Sequence, residues 1–324
     1  MSKNFIIISS IDWSTHWQMH HQLATSLVEA GNRVLFIENT GVRTPKLKDI
    51  GRIRDRICYR LQSEHGFRQI NENQWVYSPL FIPLPYSRIA NALNVLLISA
   101  SISRWMSLLR FSDPVVISFL PTPLIQKLIE SINPLLSVYY CANHMAGSSA
   151  STLKLRAWED KFFATADLIF SISEAISERA KPFAHFVYSF PAGVDIEKFS
   201  SSDSYQSAPV DMASLQRPII GYVGALSDVF DQQQIIELAK ALVNATILLV
   251  GPRYTNLSAL EGIPNIVLLG ERPHDQIPAY INSFDVALIP YVVNDFTDSV
   301  YSCKLNEYLA MGKPVVSTKV LRIF

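Results

Sequence analysis

The chain has 324 residues and a mass of 36.4 kDa, room for roughly two domains of ordinary size. With 49% hydrophobic and 17% charged residues it has the composition of a folded α/β protein and excludes a disordered chain. Lys plus Arg and Asp plus Glu balance at 28 each, so the net charge is +0 and nucleic acid is disfavoured as a general partner.

Cys58, Cys141 and Cys303 are too scattered for a zinc site or a disulfide framework, and a reducing cytoplasm fits them best. The opening, MSKNFIIISSIDW, has an apolar run too short for a secretory signal and reads as a first strand over 5–9. A polar loop, 10–15, leads into a helical pattern with Leu23, Leu27 and Ala30 on one stripe, closed by Gly31, and a strand over 33–38. This order opens a nucleotide-binding fold, but the G-x-G-x-x-G fingerprint is missing, so a tightly held dinucleotide is not expected and Glu38 reads as a strand-end residue. His16, His20 and His21 read as decoration on the first helix, since no H-x-x-x-H spacing or paired acid supports a metal.

The segment 43–61 carries Arg43, Lys46, Lys48, Arg52, Arg54, Arg56 and Arg60 against Asp49 and Asp55, with apolar residues at helical spacing. Two readings stay open: a surface helix docked on the first domain, or attachment to an anionic membrane surface, where each basic residue contributes ~1 kcal/mol. A strand over 73–79 follows, then a long, mostly apolar helix over 87–109. Its uncharged stretch, 89–103, falls short of the ~20 residues a bilayer span needs, so no transmembrane helix is expected. Strands over 114–119, 137–141, 167–171 and 185–189 alternate with helices over 122–132, around Trp158 and Phe162, and over 174–180, which predicts a doubly wound parallel sheet.

The run 200–217 is rich in Ser, Asp, Pro and Gln and reads as an interdomain linker. The rhythm then restarts, with strands over 218–224, 245–251 and 265–270 and helices over 232–242 and 274–284. The closing stretch, 284–318, is FDVALIPYVVNDFTDSVYSCKLNEYLAMGKPVVST, two buried strands around an acidic loop and a helix over 303–311 closed by Gly312. On that helix Lys304 and Glu307, three apart, share a face near the N-terminus. Such a pair suits a ligand with both phosphates and vicinal hydroxyls, the lysine and free backbone N–H groups taking the former and the glutamate the ribose. Among arbitrary helices the same pair is more often a solvated surface pair.

The run KLNEYLAMGKPVVST resembles the donor-binding helix of nucleotide-sugar glycosyltransferases with the GT-B fold. GYVGALSD at 221–228, ILLVGP at 247–252, ADLIFSISEAISER at 166–179 and PAGVDIEKF at 191–199 extend the resemblance over nearly the whole chain. It points most closely to the branch that builds polysaccharides of the teichuronic acid or exopolysaccharide type. The resemblance implies an α/β GT-B fold, two Rossmann-like doubly wound parallel-sheet domains facing a cleft. The acceptor-side domain would run over 1–199, the linker over 200–217 and the nucleotide-sugar-binding domain over 218–324.

It also implies a hexosyltransferase moving a sugar from a nucleotide diphosphate donor to a lipid-linked or polysaccharide acceptor. Such an enzyme would need no cofactor and no metal and would work in the cytoplasm, peripheral at the inner face of the membrane. Donor binding would fall to Gly224, Arg253, Tyr291, Lys304 and Glu307, and the base or proton relay to His144 or Asp12. Two departures stand out. Ser299 occupies the position where many relatives carry a first Glu, leaving backbone N–H groups or Asp298 for that contact. The chain also stops at Phe324, before the helices the family places next, so an incomplete second domain with weakened or no activity is expected, with a nucleotide-binding remnant or a sugar-nucleotide epimerase as the alternatives.

Overall fold

Short β-branched runs that alternate with amphipathic stretches form two sheets in a chain that divides into two units, Met1–Phe190 and Pro191–Phe324. The structure, a computed structural model, describes residues 2–15, 17–40, 66–82, 84, 87–142, 153–200, 208–298 and 300–319. The basic segment 43–61 lies outside them.

In the first unit the strands are β1 (Asn4–Ile8), β2 (Arg33–Ile37), β3 (Phe67–Asn71), β4 (Gln74–Tyr77), β5 (Val115–Ser118), β6 (Leu136–Cys141), β7 (Leu168–Ser171) and β8 (Val187–Ser189). The helices are α1 (Met19–Glu29), α2 (Arg88–Leu108), α3 (Pro123–Ile132), α4 (Leu153–Thr165) and α5 (Glu174–Ala180). The sheet runs β3-β4-β2-β1-β5-β6-β7-β8, and Ile6, Ile7 and Ile8 at its centre are fully buried, as expected for a strand covered on both faces. All pairs are parallel except the β3–β4 hairpin. The sequence reading lacks β3, whose FRQIN buries little beyond Phe67 and so carries no apolar run. Its turn is held by Asn71, whose Oδ1 accepts from Asn73 N at 3.0 Å.

One expectation about this unit is corrected. His20 and His21 do not decorate α1 but form its buried face with Ala24, while Leu23 and Leu27 are only half-buried. Gln18 N donates to His21 Nδ1 at 3.1 Å, which places the ring proton on Nε2, 3.1 Å from the Trp13 carbonyl it donates to. His20 Nε2 lies 3.0 Å from Ser10 Oγ with its ring against Phe119, and burial first, then His21, lowers its pKa to about 3. The helix expected over 87–109 is α2, whose 21 residues span about 30 Å and are by length and composition alone enough to cross a bilayer. Its inner side is packed in the unit, with Ile98 and Ile102 fully buried and the Trp105 ring 5.4 Å from Phe67 and 5.5 Å from Trp75.

Glu38 is the strand-end residue expected of it. Its carboxylate accepts from Trp13 N (2.9 Å), Arg68 Nη2 (2.9 Å) and Ser78 Oγ (2.5 Å), which fixes the loop after β1 to the β3–β4 side of the sheet.

The second unit contains β9 (Ile219–Val223), α6 (Gln232–Ala241), β10 (Thr246–Val250), β11 (Ile266–Gly270), α7 (Ile277–Asn282), β12 (Val286–Ile289), α8 (Asp295–Asp298), α9 (Cys303–Ala310) and β13 (Val315–Ser317). Its parallel sheet runs β11-β10-β9-β12-β13. The strand order reverses between β9 and β12, and the carboxyl ends at such a reversal are where open α/β sheets bind ligands. The segment 191–199, which the sequence reading placed in the first domain, packs with the second unit, where Phe199 joins the core. The described part of 200–217 does the same. Met212 is buried there, and Asp211 accepts from Arg272 at 2.7 Å and Tyr280 at 2.9 Å.

Candidate functional site

At the reversal the backbone is stripped of side chains. Gly224 follows β9 with φ +150, a conformation other residues rarely adopt, and a Cβ there would stand 2.0 Å from Lys304 Cε and 2.8 Å from Nζ. The lysine thus occupies the space a side chain would fill. Gly251, at the end of β10 with φ +151, lies so close that its Cβ would meet the Gly224 carbonyl oxygen at 2.0 Å. Two glycines therefore make the floor, and the second is excluded from substitution by backbone.

The helix α9 supplies the opposite wall. Tyr308, fully buried, accepts from Val223 N at 2.9 Å and so ties α9 to the end of β9, opposite Gly224. Asn306 orients the other side of the helix: its Oδ1 accepts from Tyr301 at 2.8 Å and its Nδ2 donates to the Ala192 carbonyl. Lys304 Nζ then stands 5.8 Å from the Tyr222 ring centre and 6.0 Å from that of Tyr291. Burial works to lower the lysine's pKa, while Tyr291, Tyr222, Tyr308 and Glu307 work to raise it, and the net direction is upward from the ordinary value.

Glu307, one turn along, has its pKa raised by burial, opposed by Lys304 and Lys198. Among the described residues neither Lys304 nor Glu307 is held by a side-chain hydrogen bond or an ion pair, so both remain available to a ligand. Lys198 lies 2.8 Å from His274 Nδ1; burial and then Lys198 lower that histidine's pKa.

The other residues singled out from sequence are placed as follows. Tyr291 is buried beside Lys304, its hydroxyl 3.4 Å from Ser302 Oγ and its backbone N–H donating to Thr318 Oγ1 at 3.1 Å. Arg253, just past β10, pairs with Glu261 at 2.9 Å on the surface. Asp12 belongs to the first unit, buried in the loop after β1 and accepting through its carbonyl from Thr15 Oγ1 at 2.7 Å. His144 and Ser299 lie outside the described residues, as does the side chain of Asp298. Gly251, Tyr222, Tyr308 and Asn306 belong to the site but were not singled out. Tyr308, four residues after Lys304 on α9, and the glycine of VGP after a strand were the available signals.

The two α/β units, each with its own parallel-dominated sheet, have the fold of the GT-B glycosyltransferases. Residues 217–323, which carry the candidate site just described, match the family described as Glycosyl transferases group 1. Among curated relatives the chain is similar to TuaH of Bacillus subtilis (strain 168), which bears the name putative teichuronic acid biosynthesis glycosyltransferase, at 32% identity over 141 residues. That match takes in 41% of this chain and spans about a third, 34%, of the relative's length. Among solved structures it resembles sucrose-phosphate synthase from Thermosynechococcus elongatus (TM-score 0.70, 13% identity) and Anabaena HepE in complex with UDP and glucose (TM-score 0.64, 15% identity). Each of these covers 98% of this chain and 81% of the solved one.

Proposed function

We propose that the chain is a glycosyltransferase that takes a sugar from a nucleoside diphosphate donor, bound at the second unit, and passes it to a lipid-linked or glycan acceptor in cell-surface polysaccharide synthesis. The observation that carries the reading is the seat of Lys304 against side-chain-free Gly224, with Glu307 one turn further along α9. A diphosphate resting on the glycine floor would meet the lysine cation and the N-terminal N–H groups of α9, while the Glu307 carboxylate would accept from ribose hydroxyls. In this arrangement the phosphate charge is met by protein groups, without a metal. Tyr291 would flank the bound nucleotide, and Arg253 would reach it only by leaving Glu261, an exposed pair that holds it weakly.

Solved structures of the same fold carry UDP and glucose in HepE and UDP-2-fluoro glucose in a trehalose-6-phosphate enzyme, which supports a nucleotide-sugar donor here. The similarity to TuaH supports an acceptor in envelope polysaccharide. Asp12 and His144 are the proposed groups for the acceptor's proton. Action at the cytoplasmic face of the membrane, with 43–61 on its anionic surface, completes the reading. Thermal unfolding with UDP, GDP and their sugar conjugates tests it. One nucleotide family should raise the melting temperature in a concentration-dependent way, and a flat response across the set would overturn the proposal.

A further inference from the structure

The face of α2 turned away from the core is built for an apolar medium. Ile89, Leu93, Leu96 and Leu97 are 76%, 45%, 64% and 58% exposed, and Ala92 and Ala100 lie among them on the same side of the helix. Ile82 and Leu84 extend the patch at 38% and 48% exposure, the first held to the helix by both groups of the Asn94 amide (2.7 and 2.9 Å). Single exposed leucines are ordinary, but a contiguous stripe on an already anchored helix is not. The charges of the helix itself all have one sign: Arg88 and Arg104 are its only charged residues and both are exposed, and no acidic residue occurs from 81 to 112, the next being exposed Asp113.

We propose that this outward face of α2 seats the first unit on an anionic lipid surface. The packed inner side, with Ile98 and Ile102 fully buried, keeps the helix in the plane of the interface, while the leucines enter the acyl boundary and the arginines meet the headgroups. A second copy of the chain is the poorer occupant, because like faces would bring Arg88 and Arg104 of both copies together with no acidic residue on either helix to answer them. The proposal deepens the membrane element of the function above, but its test does not depend on the donor site.

Sedimentation with vesicles of phosphatidylcholine, with and without phosphatidylglycerol, tests it on the full chain and on the double variant L96K/L97K. The wild type should bind the anionic vesicles more tightly than the neutral ones. The variant should lose about tenfold or more in partitioning although it gains two positive charges, because apolar contact is removed while attraction grows. Binding by the variant equal to or stronger than wild type would overturn the proposal and assign attachment to basic residues alone, such as those of 43–61. So would a wild type that ignores anionic vesicles at low salt. A variant with a much lower melting temperature would show that protein covers the stripe, and a wild-type dimer dispersed by the variant with unchanged vesicle binding would show that a second copy does; either result overturns it. A nucleotide response measured on the same samples separates the two readings: its loss with vesicle binding intact sinks the donor assignment alone.

Discussion

Gly251 and Gly224 touch through backbone, and what each excludes differs. A methyl at Gly251 meets a carbonyl oxygen that cannot move without parting the ends of β9 and β10, whereas a methyl at Gly224 meets side chains, the far end of Lys304 first and the Tyr222 hydroxyl at 2.9 Å. Gly251→Ala should therefore cost more stability, about 2 kcal/mol or more in denaturant unfolding. Gly224→Ala should cost less stability but displace Lys304 and weaken nucleotide binding about tenfold in calorimetric titration. Equal stabilities with unchanged affinity would show that the close approach is not what the glycines are for. Of this pair the sequence made only Gly224 legible, through GYVGALSD, because the contact that singles out Gly251 is between strands and leaves no local pattern.

A different residue, His20, predicts the acid limb of stability. Its folded pKa of about 3 lies below the ordinary 6.5, so the unfolded chain takes up a proton that the folded chain refuses. Its contribution is thus complete above pH 6.5 and is lost as pH falls toward 3, on the order of 4 kcal/mol across the window. Denaturant unfolding from pH 7 to 4 should show this slope, and His20→Leu should flatten it. An equally steep limb in the variant would assign the acid sensitivity to other groups. Nothing in the sequence announced this burial, because a histidine next to a histidine in a polar-looking stretch reads as surface until Phe119 and Ser10 close over it.

Among the elements, α9 converts a sequence motif into geometry. Its order was visible from the apolar spacing, the closing Gly312 and the strands on either side, and the registers of β12 with β13 and of β9 with β12 follow from continuous β-branched runs. What could not be read was how the helix meets β9, since that depends on the hydrogen bonds of Tyr308 with Val223, 85 residues apart, and of Asn306 with Ala192. Tyr308→Phe should cost about 1–2 kcal/mol, because it leaves the buried Val223 N–H without its acceptor. It should also weaken nucleotide binding, although Tyr308 itself is fully buried. Stability lost with affinity untouched would mean that the bond holds the fold without positioning the site. The hairpin strand β3 and the packing of 191–199 were hidden for a related reason: the first is polar and one-sided, and the second gains its meaning only from Phe199 and Asn306 in the second unit.

For the whole molecule, the two units were legible because each repeats the alternation of buried strand and amphipathic helix, and length and composition left few other classes. The place of the candidate site at the β9–β12 reversal follows from topology, while the chemistry proposed for it rests on Lys304, seated against Gly224 beside Tyr222 and Tyr291, and on Glu307 one turn along α9. The account rests on those two groups gripping one ligand. Isothermal titration of UDP and a UDP-sugar into the wild type, Lys304→Ala and Glu307→Gln tests this most directly. Each variant should lose at least about tenfold in affinity, or 1.4 kcal/mol, with its melting temperature preserved in the absence of ligand. Wild-type affinity in both variants would contradict the account.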